Sequence, residues 1–258
     1  MDRLVTQEIP QLRYPYYNFY ADRPHSSAKE DGGRTIEWPT NELFYWRNQN
    51  STHDLVIFLG VEPHLLWRTY ISLIMGVAQQ TGVCRVVMLG GTYDAVPHDV
   101  PPIVTCSTSD EPLRQMLEGM GVRSTTYEGP ASIHSPVIAA CEERGIPCVS
   151  VWGHAPNYVR ASPNAKVCHA ILKKLQPLLE INIDQDDIWA DAARQDRRVE
   201  RALARDPDLR AYVEKLQEQF KQAPPPPSEP LNSETVIQDL EEFLRQQRKE
   251  GGEPRPGA

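Results

Sequence analysis

The residues best suited to chemistry fall where apolar runs end. Glu62, His64 and Arg68 follow the run Leu55-Val-Ile-Phe-Leu59, and His98 and Asp99 follow Arg85-Val-Val-Met-Leu89. Glu128 precedes a helical pattern that begins near Ile133, and Trp152 with His154 closes the run Cys148-Val-Ser-Val-Trp152. If the strands are parallel, Glu62, Arg68, His98, Glu128, Trp152 and His154 could line one mouth of a sheet. Carboxylates, imidazoles and a guanidinium gathered there would have the groups for acid–base work or for gripping a phosphate. The competing reading is that these are loop residues that cap helices or meet water.

The spacing supplies no assembled catalytic motif. Gly60-Val-Glu-Pro63 and Gly90-Gly-Thr-Tyr93 are lone glycine turns that match neither the P-loop nor the dinucleotide-binding pattern, and no G-x-S-x-G elbow occurs. His98-Asp99 and His154 lie far apart with no two-histidine helical unit, so no metal is expected, and no cofactor is implied. The five cysteines, Cys84, Cys106, Cys141, Cys148 and Cys168, make no C-x-x-C pair. They read as small, reduced, buried core residues.

The elements that must position these groups alternate. Arg34–Trp38 and Glu42–Trp46 read as short strands around Pro39. Leu55–Leu59 is a continuous apolar run, the pattern of a strand buried on both faces. Leu66, Thr69, Tyr70, Leu73, Ile74 and Val77 then recur at helical spacing. Arg85–Leu89, ended by Gly90-Gly91, and Ile103–Cys106 read as further strands. Asp110 can cap a helix over Glu111–Glu118, Val137, Ile138 and Cys141 stripe the next, and Cys148–Trp152 returns as a strand. Ser162-Pro163 opens a helix bearing Cys168, Ile171, Leu172, Leu175 and Leu179, which Pro177 should kink or end. Strand–helix alternation predicts an α/β fold: a mostly parallel sheet flanked by helices, with ligand clefts at the carboxyl ends of its strands.

Beyond Asp184 two amphipathic helices follow, the second opened by Asp206-Pro207, and read as a helical hairpin. Ala223-Pro-Pro-Pro-Pro-Ser-Glu-Pro230 is a semi-rigid linker. Ile237, Leu240, Phe243 and Leu244 then stripe one more helix, too short to be stable alone and therefore a candidate partner-binding element. The expected organisation is an α/β domain over residues 1–183, the hairpin over 184–222, the Pro-rich linker over 223–232, the amphipathic helix over 233–250 and a tail without fixed structure over 251–258.

Composition narrows the partners. With a net charge of −8 the chain lacks the basic balance of a phosphate-tracking protein, so nucleic acid is not expected. The first residues contain no apolar signal core, and the longest apolar run falls far short of a bilayer span. The expectation is a soluble, cytoplasmic protein.

Several loops, in order, carry a family resemblance. They are Gly60-Val-Glu-Pro63 with Trp67-Arg68, Asp94-Ala-Val-Pro-His98 with Pro101-Pro102, Tyr127-Glu-Gly-Pro130, Gly145-Ile-Pro147 through Ser150-Val-Trp152, and Pro156-Asn-Tyr158. Together they resemble the proteasome assembly chaperone 2 family, whose bacterial and archaeal members are sometimes labelled ATP-grasp or carboxylate-amine ligases. The resemblance implies a three-layer fold similar to nucleoside phosphorylases, assembly into small homo-oligomers, and protein partners, with proteasome subunits as those of the best understood relatives. The family's usual opening strand, glycine-containing turn and helix have no match here. The expectation is that the natural start lies upstream or that another chain supplies the strand, because a buried strand without its neighbour leaves backbone groups unpaired. The leading functional expectation is a non-enzymatic, oligomeric chaperone-like protein. The alternative is a small-molecule or nucleoside-binding protein, or an enzyme, using the strand-end cleft.

Overall fold

The computed structural model describes residues 7–8, 25–28, 34–37, 41–49, 51–125, 127–159 and 163–222. The stripe Ile237, Leu240, Phe243, Leu244, the Pro-rich linker and the tail lie outside them. In chain order the first elements are β1 (Gln7–Glu8), β2 (His25–Ala28), β3 (Arg34–Glu37), β4 (Glu42–Trp46), β5 (Leu55–Leu59), α1 (Trp67–Gln80), β6 (Val86–Asp94) and β7 (Val104–Ser107). There follow α2 (Glu111–Gly119), β8 (Arg123–Ser124), α3 (His134–Glu142), β9 (Cys148–Pro156), α4 (Ala165–Leu179), α5 (Asp186–Leu203) and α6 (Pro207–Gln222). The chain divides into two compact units, one of Met1–Val86 and Ala131–Cys148, the other of Val87–Pro130 and Val149–Ala258.

In the first unit β1, β4 and β5 form an antiparallel sheet in the order β1-β4-β5, and β2 pairs with β3 as a separate hairpin. Helix α1 buries Tyr70, Ile71, Met75, Val77 and Ala78, and α3 buries Val137, Ala140 and Cys141. The Tyr70 hydroxyl, 3.1 Å from Asn41 Oδ1 and 3.2 Å from the Val61 carbonyl, satisfies itself inside this core. Burial, with the Glu62 charge second, pushes it up to about 12, so it stays a donor. Strand β5 departs from the expectation of burial on both faces. It pairs antiparallel with β4, and Phe58 and Leu59 remain 37% and 57% exposed. An uninterrupted apolar run marks a doubly covered strand only in a parallel sheet; antiparallel strands can leave one face to water.

The second unit carries the α/β fold. Its sheet has the order β6-β9-β7-β8. Strands β7 and β8 are parallel and β7 and β9 antiparallel. Strands β6 and β9 run the same way: from the bond between Val86 N and the Pro147 carbonyl to that between Asn157 N and the Asp94 carbonyl, both strands advance in the same direction. Leu113, Leu117, Val149, Val151, Val167 and Ile171 meet in the core between sheet and helices.

Two strands run longer than their sequence pattern indicates. The Gly90-Gly91 pair does not end β6, which continues to Asp94, and β9 continues past Trp152 to Pro156. The glycines serve packing instead. A Cβ at Gly90 would lie 2.7 Å from the Trp152 ring, and one at Gly153 would lie 2.3 Å from Val167 Cγ1. Pro177 sits inside α4 and cannot donate to the Lys173 carbonyl, and the helix ends two residues later at Leu179, so the proline falls at the helix's end and does not break its middle. Of the cysteines expected in the core, Cys106, Cys141 and Cys148 are buried, whereas Cys84 is exposed and Cys168 half-buried. Cys84 belongs to the turn between α1 and β6, outside either element's buried stripe.

Asp110 caps α2 as its position indicates, Oδ1 accepting from Leu113 N at 2.9 Å. Asp110→Ala is expected to lower stability by about 1 kcal/mol, read as a shift in denaturant midpoint; an unchanged midpoint would contradict this cap.

Candidate functional site

Where β6 and β9 end side by side in the second unit, their last residues form one buried polar cluster. Asp94, 2% exposed, accepts from Ala95 N at 2.7 Å through Oδ1, and its Oδ2 lies 2.9 Å from His154 Nδ1. His154 Nε2 lies 2.9 Å from the Thr105 hydroxyl on β7. The partners assign the tautomer: a proton on Nδ1 faces the carboxylate, and Nε2 accepts from Thr105. The carboxylate–imidazole–hydroxyl order matches that of a nucleophilic triad. All three residues are nevertheless at most 3% exposed, so no substrate carbonyl can reach Thr105.

A second chain of bonds starts at His98. Its backbone N–H donates to the Tyr158 hydroxyl at 2.7 Å, and its Nδ1 lies 2.8 Å from the same oxygen. Its Nε2 lies 3.0 Å from Glu200 Oε1 on α5. Tyr158 therefore accepts from the backbone and donates to Nδ1, which leaves the Nε2 proton for Glu200. Burial raises the Tyr158 pKa, so this donor is held across the physiological range. The Tyr158 ring stands edge-on to both His98 and Tyr212.

The cluster ties the helical hairpin to the sheet. Lys166 on α4 donates to the His98 carbonyl and lies 3.3 Å from Asp196 on α5. Gln195 accepts from Ala165 N at 2.9 Å, Gln217 on α6 donates to Asp99 at 2.9 Å, and Asn157 donates to the Tyr212 hydroxyl at 2.7 Å. The pocket between these groups, lined among others by His98, His154, Lys166 and Asp196, holds about 20 Å³. That is room for about one water, far below the roughly 300 Å³ of a small-molecule site. Replacing Tyr158 with Phe is expected to orphan the His98 amide and lower stability by about 1–3 kcal/mol. Hydrogen exchange should then quicken in the loop 95–100; unchanged exchange there would contradict the bridging role.

Of the residues singled out by position, the fold brings His98 and His154 to this one pocket. Trp152 lies on the same strand as His154, half-buried, its indole N–H donating to Ser150 Oγ at 2.7 Å and its ring filling the space above Gly90. Glu128 is exposed. Glu62 and Arg68 belong to the first unit. There Glu62, exposed, accepts from Ile133 N at 3.2 Å at the start of α3, and Arg68 lies exposed in the first turn of α1. Sequence reasoning missed Asp94, Thr105, Tyr158, Lys166 and Glu200 as cluster members. The spacings Asp94-x-x-x-His98 and His154-x-x-x-Tyr158 at two strand ends were a usable signal; Thr105 carried none. Among the described residues no group of three or more His, Cys, Asp or Glu side chains could hold a metal ion, and no helix is long and apolar enough to cross a membrane.

Comparisons with known proteins converge on one family. The sequence model of the PAC2 family matches residues 1–203. A PAC2 family protein from Streptomyces avermitilis is 33% identical, with a TM-score of 0.61 over 70% of this chain and 78% of that one. The proteasome-assembly chaperone homologue Rv2125 of Mycobacterium tuberculosis is 30% identical, with a TM-score of 0.66 over 75% of this chain and 83% of that one. The archaeal proteasome activator PbaB of Pyrococcus furiosus shares the fold at 19% identity, with a TM-score of 0.54 over 69% of this chain and 76% of that one. A comparison with curated proteins finds no match. The motif residues whose side chains lock the sheet to its helical hairpin thus sit in a chain that belongs to the PAC2 family.

Proposed function

We propose that this chain is a non-enzymatic, chaperone-like protein of the cytoplasm that forms a small homo-oligomer and works by binding protein partners, with proteasome subunits the first class to test. One observation carries the reading. The side chains able to do chemistry, Asp94, His98, His154 and Lys166, are engaged with one another and with the helical hairpin around a space the size of one water. Around this cluster there is no room for a small molecule, which favours binding through surfaces. A relative that is 30% identical and described as a proteasome-assembly chaperone homologue supports the same direction. The residues 233–250, joined by the linker 223–232, are the segment we assign to partner contact.

The test is capture of the tagged full chain from its native host, followed by reconstitution of each recovered complex from purified components. The expected result is a stoichiometric partner that rebinds in purified form and is held more weakly when residues 223–258 are deleted. Recovery of the protein alone, together with stabilisation by a nucleoside library, would reverse the reading in favour of a small-molecule site.

A further inference from the structure

In the first unit large apolar side chains are left in water over one short stretch: Ile57, Phe58 and Leu59 on β5, then Leu65 and Leu66 before α1. The strand's position explains the first three. Every residue of β5 pairs with β4, from Leu55 opposite Trp46 to Leu59 opposite Glu42, and among the described residues no strand takes its other side. Alternate backbone N–H and C=O groups therefore point out of the sheet along that edge. The sheet's opposite edge is blunted, because β1 has only two residues, Gln7 and Glu8. Strand β5 carries none of the usual protections. It has five apolar residues in unbroken register, with no charge, proline or bulge among them. Such an edge recruits another strand.

The sequence of β5 indicates which strand fits. Laid antiparallel on a second copy about Ile57, Leu55 meets the partner's Leu59, Val56 meets the partner's Phe58, and Ile57 meets the partner's Ile57. Only this register pairs all five residues within the strand. Each cross-strand pair is apolar, and an aromatic against a β-branched residue is a favoured combination. Charge is complementary as well: Asp54 would oppose the partner's Gly60 and Glu62 the partner's Thr52, so no like charges face each other. The Phe58 ring lies 6.3 Å from that of Tyr70 on α1, and Leu65 and Leu66, exposed just before that helix, extend the apolar area beyond the strand.

We propose that β5 is a self-association edge through which two copies of this chain join antiparallel about a two-fold axis at Ile57. The product is one continuous sheet in the order β1-β4-β5-β5-β4-β1. The contact is closed, because it consumes both open edges and leaves none for further growth. This assignment rests on the homo-oligomer proposed above and names its interface.

The test is sedimentation velocity of the purified full chain, of Ile57→Lys and of Ile57→Glu. Ile57 is 40% exposed in the single chain, so it can carry either charge in a folded protein, which circular dichroism checks. The parent is expected to sediment as a dimer or another even-numbered assembly. Each variant alone is expected at about half the parent mass, since two like charges face each other at the axis. An equimolar mixture of the two variants should regain the parent mass, because lysine then faces glutamate; a misfolded variant would not recover in this way. A monomeric parent would overturn both this interface and the homo-oligomer on which it rests. A trimeric parent, or variants that keep the parent mass, would overturn the interface alone and give the β5 edge to a foreign strand or to another part of this chain. Variants that dissociate but stay apart on mixing would overturn the pairing about Ile57.

Discussion

Replacing Gly153 with alanine is expected to destabilise the protein by about 1–3 kcal/mol, the usual range for overpacking a filled core. Gly153 lies in the centre of β9, on the face that α4 covers. Its added Cβ would meet Val167 Cγ1 at 2.3 Å and Ile171 Cδ1 at 2.8 Å. Both neighbours belong to the buried core and are β-branched, so they cannot rotate away freely. Helix α4 would have to lift, and Lys166, which links the His98 loop to α5, lifts with it. The effect should appear as a fall in Tm of roughly 2–12 °C for a domain of this size. Gly91→Ala is the internal control. Its Cβ would meet only the Gly153 carbonyl, at an ordinary 3.9 Å, and its Tm should stay within about 2 °C of the parent. Equal losses in the two variants would show that a generic strand effect, and not the approach of α4, sets the cost.

Asp94→Ala is expected to cost about 3 kcal/mol or more, because it strands the buried His154 Nδ1 and the Ala95 amide at once. Asp94→Asn should cost less. Its amide nitrogen can face His154 once the imidazole shifts its proton to Nε2, and the Thr105 hydroxyl can rotate to accept. A double-mutant cycle with His154→Leu isolates the pair. The double variant is expected to be at least 1 kcal/mol more stable than the sum of the single losses predicts. Strict additivity would mean that the two side chains do not support each other.

Much of the fold was legible because its signals are local. The apolar runs at Leu55–Leu59 and Cys148–Trp152, the helical stripe from Leu66 to Val77 and the Asp110 cap each need only a few neighbouring residues to act. What local pattern could not supply was the partner of each strand. The same apolar grammar serves β9, covered on both faces, and β5, paired antiparallel and half in water. Gly90 reads as the end of a strand, and nothing in the local pattern singles out Gly153, because the reason for each is a side chain elsewhere, the Trp152 ring for one and α4 for the other. The polar cluster was half legible. His98 and His154 stood out as histidines at strand ends, but the partners of His98, Tyr158 and Glu200, come from a loop and from a distant helix. A titratable residue at a strand end is equally a ligand group and a fastening, and only the volume left beside it separates the two.

The central claim is that this cluster fastens the fold and leaves no ligand site. The most direct measurement is a thermal-shift titration of the purified full chain with nucleosides, nucleotides and inorganic phosphate. The account predicts no saturable rise in Tm with any of them. A saturable stabilisation of several degrees, abolished in Lys166→Ala while that variant keeps its parent circular dichroism, would contradict it and place a ligand among His98, His154 and Lys166.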